Sequence, residues 1–167
     1  MVEIREAQIA DAAAILEYCK LIGGESDNLS FGSEGIPSTV EQEEQFLESI
    51  SQCPRQVYLV AVDEGDIVGT AAFTGFSRPR LAHRGEISIS VKKSRWGQHI
   101  GTQFMERLIA FARQIEDMEI ISLEVRRDNR RAVCLYEKFG FKTIGTFRGF
   151  MKIDGCLVDF DMMHLHL

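Results

Sequence analysis

The sequence is short of the features that mark several protein classes. It has 4 cysteines, Cys19, Cys53, Cys134 and Cys156, so dispersed that no C-x-x-C pair exists. Structural zinc needs ligands paired at short spacing, and a secreted disulfide scaffold needs a higher cysteine density. Reduced thiols and no metal are expected. No apolar run approaches the ~20 residues that span a bilayer. The opening MVEIREAQIADAA is charged where a signal peptide carries its apolar core, so a cytoplasmic protein with no membrane partner is expected. Basic charge is also scarce, 19 Lys plus Arg against 25 Asp plus Glu, which leaves a net charge of −6. A nucleic-acid binder needs a basic face to release counterions, so no nucleic-acid partner is expected. The acidic balance serves solubility and leaves room for a cationic small molecule.

What is present suits one domain over 1–167, a length that buries roughly two-thirds of the unfolded surface without a staple. No repeat, low-complexity tract or linker interrupts it. Val2 to Glu6 reads as a strand. Asp11 to Ile22 reads as a helix with Ile15, Cys19 and Ile22 on one face, stopped by Gly23 and Gly24. Glu25 to Pro37 is a loop, and Ser38 or Thr39 caps the next helix, where Glu41 has capping-box spacing from Ser38. Phe46, Leu47 and Ile50 give that helix its apolar side, and Glu41, Glu43, Glu44 and Glu48 read as a solvated face. QVYLVAV and IVGTAAF around Asp63-Glu64-Gly65-Asp66 form a hairpin.

GEISISV, Gly85 to Val91, is a strand. A long helix from Ile100 to Ile115 follows, with Phe104, Leu108, Phe111 and Ile115 as its buried stripe. Ile120 to Val125 is a further strand. Asp128 or Asn129 caps a short helix holding Ala132, Leu135 and Phe139, which ends at Gly140. FKTIGTFRGFMKI and CLVDFDMMHLHL close the chain as a hairpin around Asp154-Gly155. The order is mixed and strands outnumber helices, which implies an α/β or α+β layer fold with helices packed on a sheet.

The chemistry concentrates in ISISVKKSRWGQHIGTQFMERLIAFA. A strand ends at Val91, a basic loop with Gly97 and Gly101 follows, and a helix starts at once. Unpaired N–H groups and the macrodipole at a helix start suit a pyrophosphate, and Lys92, Lys93 and Arg95 add charge nearby. Neither G-x-x-x-x-G-K-[ST] nor G-x-G-x-x-G occurs. On these residues alone, a structural turn and a phosphate site remain equal alternatives.

The segment resembles the acyl-CoA loop of the GNAT superfamily of N-acetyltransferases, Q/R-x-x-G-x-G/A. Aligned on Gly101, Trp96 stands where Gln or Arg is usual, and His99 departs from the usual Gly. RRDNRRAVCLYEKFGF resembles the family's N-x-x-A-x-x-L-Y-x-K-x-G-F run, with Asn129, Ala132, Leu135, Tyr136, Lys138, Gly140 and Phe141 in its slots. One extra residue separates Asn129 from Ala132 relative to some members. The resemblance covers Gly85 to Phe141.

It implies a mixed, mostly antiparallel sheet of about seven strands with about four helices, and a splayed central strand pair. Acetyl-CoA would lie in the splay, bonded by the backbone of Ile89 and Val91. Gly97, Gln98, His99, Ile100, Gly101 and Thr102 would surround its pyrophosphate, and Asn129 its pantetheine end. The implied activity is direct acetyl transfer to a primary amine of a small molecule, with Glu86 as base and Tyr136 as acid toward the thiolate. A protein or peptide N-terminus as acceptor, or a non-catalytic acyl-CoA sensor, are the alternatives. Dimers are frequent in the family, so a homodimer is open.

Other residues have plainer readings. Cys134 is expected to be a small buried thiol, and His99 a loop residue. His164 and His166 with Asp159 or Asp161 lack a third metal ligand at suitable spacing. Glu25, Asp27 and Glu34 border the expected acceptor side and could attract a cation.

Overall fold

The apolar periodicities resolve into seven strands and four α-helices in the computed structural model, which describes all 167 residues. Strand β1 (Glu3–Glu6) precedes helices α1 (Ala12–Glu25) and α2 (Val40–Ser51). The hairpin β2 (Gln56–Asp63) and β3 (Asp66–Gly75) comes next. It leads to β4 (Arg84–Val91), α3 (Ile100–Ala112), β5 (Ile120–Arg126) and α4 (Arg130–Lys138). Strands β6 (Lys142–Ile153) and β7 (Cys156–His166) close the chain. Both hairpins turn on two residues with positive φ, Glu64-Gly65 and Asp154-Gly155. That pairing matches the right-handed twist of the flanking strands.

All strands belong to one sheet of order β1-β2-β3-β4-β5-β7-β6. Every neighbour pair is antiparallel except β4 and β5, which run parallel. That parallel pair is also the shortest-lived. It aligns only Arg84 with Ile120, Gly85 with Ile121 and Glu86 with Ser122, after which the strands part. The expected splay is thus present at the middle of the sheet. Helices α3 and α4 cover one face over a core that includes Phe73, Phe104, Leu108, Ile121 and Met163. Helices α1 and α2 cover the other over Ile15, Tyr18, Leu47, Val60 and Ile67. No helix is long and apolar enough to cross a membrane.

Several local expectations are corrected. Helix α1 does not stop at Gly23 and Gly24 but runs through both to Glu25. A Cβ on Gly23 would lie 1.9 Å from the Gly32 carbonyl oxygen, so the residue is small because the loop backbone rests on the helix. The cap of α2 is Thr39, not Ser38. Its hydroxyl accepts from Gln42 N–H at 3.2 Å while Gln42 Oε1 accepts from Thr39 N–H at 2.9 Å. The capping box is therefore one residue later than Ser38–Glu41. Helix α2 turns Glu43, Leu47 and Ile50 inward, the i, i+4, i+7 stripe, and leaves Phe46 45% exposed. Glu43 is consequently buried rather than solvated, and burial raises its pKa above the ordinary carboxylate value.

Helix α3 ends at Ala112, short of Ile115. Its last turn tightens into i→i+3 bonds from Gln114 N–H to Phe111 and from Ile115 N–H to Ala112. On α4 the buried positions are Val133 and Tyr136, so Cys134 is exposed, against the expectation of a buried thiol.

Candidate acetyl-coenzyme A site

Where β4 and β5 separate, a cavity of about 360 Å³ opens through the sheet. Its walls come from four places. Strand β4 supplies Ile89, Ser90 and Val91, and the loop into α3 supplies Trp96 through Thr102 apart from Gln98. Asn129 and the inner face of α4, including Tyr136, form a third wall. The end of α1 and the following loop add Ile22, Glu25, Asn28 and Leu29. Every residue expected at the cofactor site lines this space except Gln98, which is exposed beside it.

The loop is built to present backbone donors. Trp96 N–H is the last amide bonded within the turn, to Lys93, and the α3 ladder begins with Gln103 N–H to His99. The amides of Gly97, Gln98, His99, Ile100, Gly101 and Thr102 have no protein acceptor. Six consecutive free donors at a helix start form a ready anion cradle. Gly97 (φ 81°) and His99 (φ 60°) both take the left-handed conformation that aims these amides one way. A Cβ on Gly101 would lie 3.1 Å from Leu135 Cδ2, so glycine also lets α3 and α4 approach.

His99 explains its own oddity. The position needs positive φ, which glycine adopts freely and a side-chain residue adopts at a cost of about 1 kcal/mol or more. His99→Gly is expected to raise the melting temperature of the ligand-free protein by about 2–4 °C per kcal/mol released. A thermal melt that stays unchanged or falls would show that the loop holds no such strain.

Side chains fasten this loop on both flanks. The Trp96 indole N–H donates to the Val91 carbonyl at 2.9 Å, so that carbonyl already has a partner. The Arg131 guanidinium lies 4.5 Å from the Trp96 ring centroid, a cation–π stack joining α4 to the loop. Glu25 at the end of α1 accepts from Lys93 N–H at 2.8 Å. Arg95 pairs with buried Asp63 at 2.6 Å, so its charge is largely answered within the protein.

Asn129 caps α4, its Oδ1 accepting from Ala132 N–H at 3.3 Å, and lines the cavity. Tyr136 is 8% exposed and its hydroxyl makes no hydrogen bond within the protein. Burial pushes its pKa up to about 12, so it stays protonated at neutral pH. Glu86 is not in the cavity. It stands exposed on the α1–α2 face of β4, at the last residue paired before the splay. Lost hydration against the sheet raises its pKa, the charge of Glu124 raises it further, and Arg84 opposes both. Tyr136 and Glu86 therefore flank the opening from opposite faces.

Residues 28–141 match the model of the Acetyltransferase (GNAT) family. The chain belongs to that family. An L-amino acid N-acetyltransferase, AaaT of Escherichia coli, is 31% identical over 113 residues, 67% of this chain and 69% of that protein. The N-alpha-acetyltransferase RimI of Mycobacterium tuberculosis is 30% identical over 61% of this chain and 62% of its own. A GNAT-family acetyltransferase from Streptococcus pneumoniae superposes with a TM-score of 0.96 at 30% identity, covering 100% of both chains. As a GNAT acetyltransferase, the protein draws its acetyl group from acetyl-CoA.

The sequence reading missed three contributors to this GNAT site, Arg131, Asp63 and the Asn28–Leu29 segment, and it read Glu25 as a cation attractor where the structure makes it an anchor of the loop. Arg131 had a signal, since it belongs to the run Arg126, Arg127, Arg130 and Arg131. The others reach the site only through the tertiary fold.

Proposed function

We propose that this GNAT acetyltransferase acetylates the primary amine of a small molecule by direct attack, and that it works in the cytoplasm. The observation that carries the reading is the placement of a partnerless Tyr136 hydroxyl and six partnerless amides around one cavity in the splay. The amides from Gly97 to Thr102 hold the pyrophosphate of the donor. The backbone of Ile89, with Val91 N–H, and the Asn129 amide hold its pantetheine arm in the way an added strand would bond.

The amine approaches from the α1–α2 face. Most of it arrives protonated, since an alkylammonium has a pKa near ~10.4. Glu86, directly or through one water, takes that proton so that nitrogen can attack the thioester carbonyl. A backbone N–H at the splay stabilises the oxyanion. Tyr136 then donates its proton to the departing thiolate, the second proton on nitrogen returns through water to restore Tyr136, and Glu86 passes the first to solvent.

Glu86→Gln removes the base. It is expected to lower kcat about 100-fold, within the usual range for a general base. A base works deprotonated, so the wild-type rate falls as pH drops through the Glu86 pKa, which lies above the ordinary carboxylate value. A pH–rate profile of Glu86→Gln that keeps this acidic limb would assign the limb elsewhere. Likeness to RimI favours a second reading, in which the acceptor amine is a peptide N-terminus. Free-thiol release from acetyl-CoA, measured across simple amines and short peptides, separates the two. A donor that binds but is never consumed would mark a sensor instead.

A further inference from the structure

The strands beyond the splay carry a surface that acetyl transfer alone does not use. In antiparallel pairs, directly opposed residues share a face. Arg126 opposes Phe160, and Phe160 opposes Phe147. The Arg126 guanidinium donates to the Asp27 carbonyl in the α1–α2 connection, which marks this as the α1–α2 face, the side of the proposed acceptor approach. Phe150 lies on Phe160 with ring centroids 4.7 Å apart, and Phe147 meets Phe150 edge-on at 5.3 Å. Phe160 is buried beneath them, while Phe147 and Phe150 remain 53% and 38% exposed.

The position of this aromatic shelf is informative. Glu124 sits on β5 two residues past Ser122, the partner of Glu86, and Met162 opposes it on β7. Phe160 lies one more step along, so the shelf begins within about 7 Å of Glu124 along the strand. Neither Glu86 nor Glu124 has an ion-pair partner. The acceptor face thus reads, outward from the splay, as two free carboxylates, then a thioether, then three stacked rings.

We infer that the acceptor is an α-amine carrying an apolar side chain, whose nitrogen lies between Glu86 and Glu124 and whose side chain rests on Met162, Phe147 and Phe150. This rests on the acetyl-transfer reading above and narrows it to a substrate class. Covering these rings removes apolar area from water on both partners, which favours an acceptor whose own side chain is apolar. A polyamine or a sugar amine has no comparable apolar side chain to cover the shelf. A free amino acid and a peptide N-terminus offer the same chemistry.

The test is a comparison of kcat/KM by free-thiol release for L-phenylalanine, L-leucine, glycine, spermidine and a tripeptide amide beginning with Phe. Acceptors with apolar side chains are expected to exceed glycine and spermidine by at least about tenfold. Phe150→Ala should cut the ratio of L-phenylalanine to glycine about tenfold. A ratio taken on one protein sample does not depend on the fraction correctly folded. A preference confined to the tripeptide keeps the inference and assigns the acceptor to peptide N-termini. Equal rates across the panel, or a preference for spermidine, overturn it while leaving the acetyltransferase reading intact. Stabilisation by acetyl-CoA with no thiol released by any amine overturns both. A Phe147→Ser variant that turns a dimer into a monomer in sedimentation and keeps the wild-type ratio reassigns the shelf to self-association.

Discussion

Tyr136→Phe is expected to lower kcat about 100-fold while the affinity for acetyl-CoA stays within about twofold. The expectation follows from what the hydroxyl lacks and what it faces. It makes no hydrogen bond within the protein, so its removal breaks no native contact. The ring stays, and with it the packing against Phe141 at 6.0 Å between centroids. What is lost is one proton donor beside the opening between β4 and β5. General acid catalysis typically contributes 10²- to 10⁴-fold, and the lower end suits a thiolate that water can also protonate. The pKa of Tyr136, pushed up to about 12, keeps the acid loaded over the whole neutral range. Its titration therefore removes activity only at strongly alkaline pH. Steady-state rates with calorimetric binding of acetyl-CoA check both halves, and an unchanged kcat removes Tyr136 from the mechanism.

Gly23→Ala is expected to destabilise the protein by about 2 kcal/mol, a fall in melting temperature of about 4–8 °C. On helix propensity alone, alanine should gain up to about 1 kcal/mol over glycine. Tertiary contact reverses the sign. The new methyl group would sit 1.9 Å from the Gly32 carbonyl oxygen and 2.5 Å from its carbon, both backbone atoms that no rotamer change can move. The loop from Ser26 onward must lift, and Asn28 and Leu29 leave the cavity wall with it. Gly24→Ala is the control, because its nearest neighbour is a side-chain carbon at 3.6 Å. A Gly23→Ala melt at or above the wild-type temperature would show that the loop gives way without cost.

These two residues also mark how far the sequence could be read. The fold was legible where period and punctuation agree. The hairpin turns, the α3 start at Ile100 and the cap at Asn129 all stand where Gly, Asp and Asn placed them. The loop of free amides was legible for the same reason, since Trp96 to Thr102 is contiguous and its donors lie in the backbone. Gly23 and Gly24 misled because a glycine that ends a helix and one that admits a neighbouring backbone look alike in one dimension. Cys134 and Glu43 were misplaced for a related reason. Helical phase, not residue type, decides which side faces the core, and a buried stripe assigned one residue off is turned by 100°. The proposed acceptor face was legible only at Glu86, because Glu124, Met162 and Phe160 join it only through strand register.

The three residue pairs joining β4 to β5 divide the sheet into two panels, one of four strands and one of three, hinged at a single short seam. The panel ending in β4 holds Glu86 and leads into the amide loop, while the other leads into Asn129 and Tyr136. The proposed acid and base thus ride on separate bodies. Volume changes at the seam, as at Ile121 or at Gly85 with Phe73 pressed against it, alter the span between proton donor and proton acceptor while touching neither. In this architecture the spacing of the proposed catalytic pair is a property of core packing.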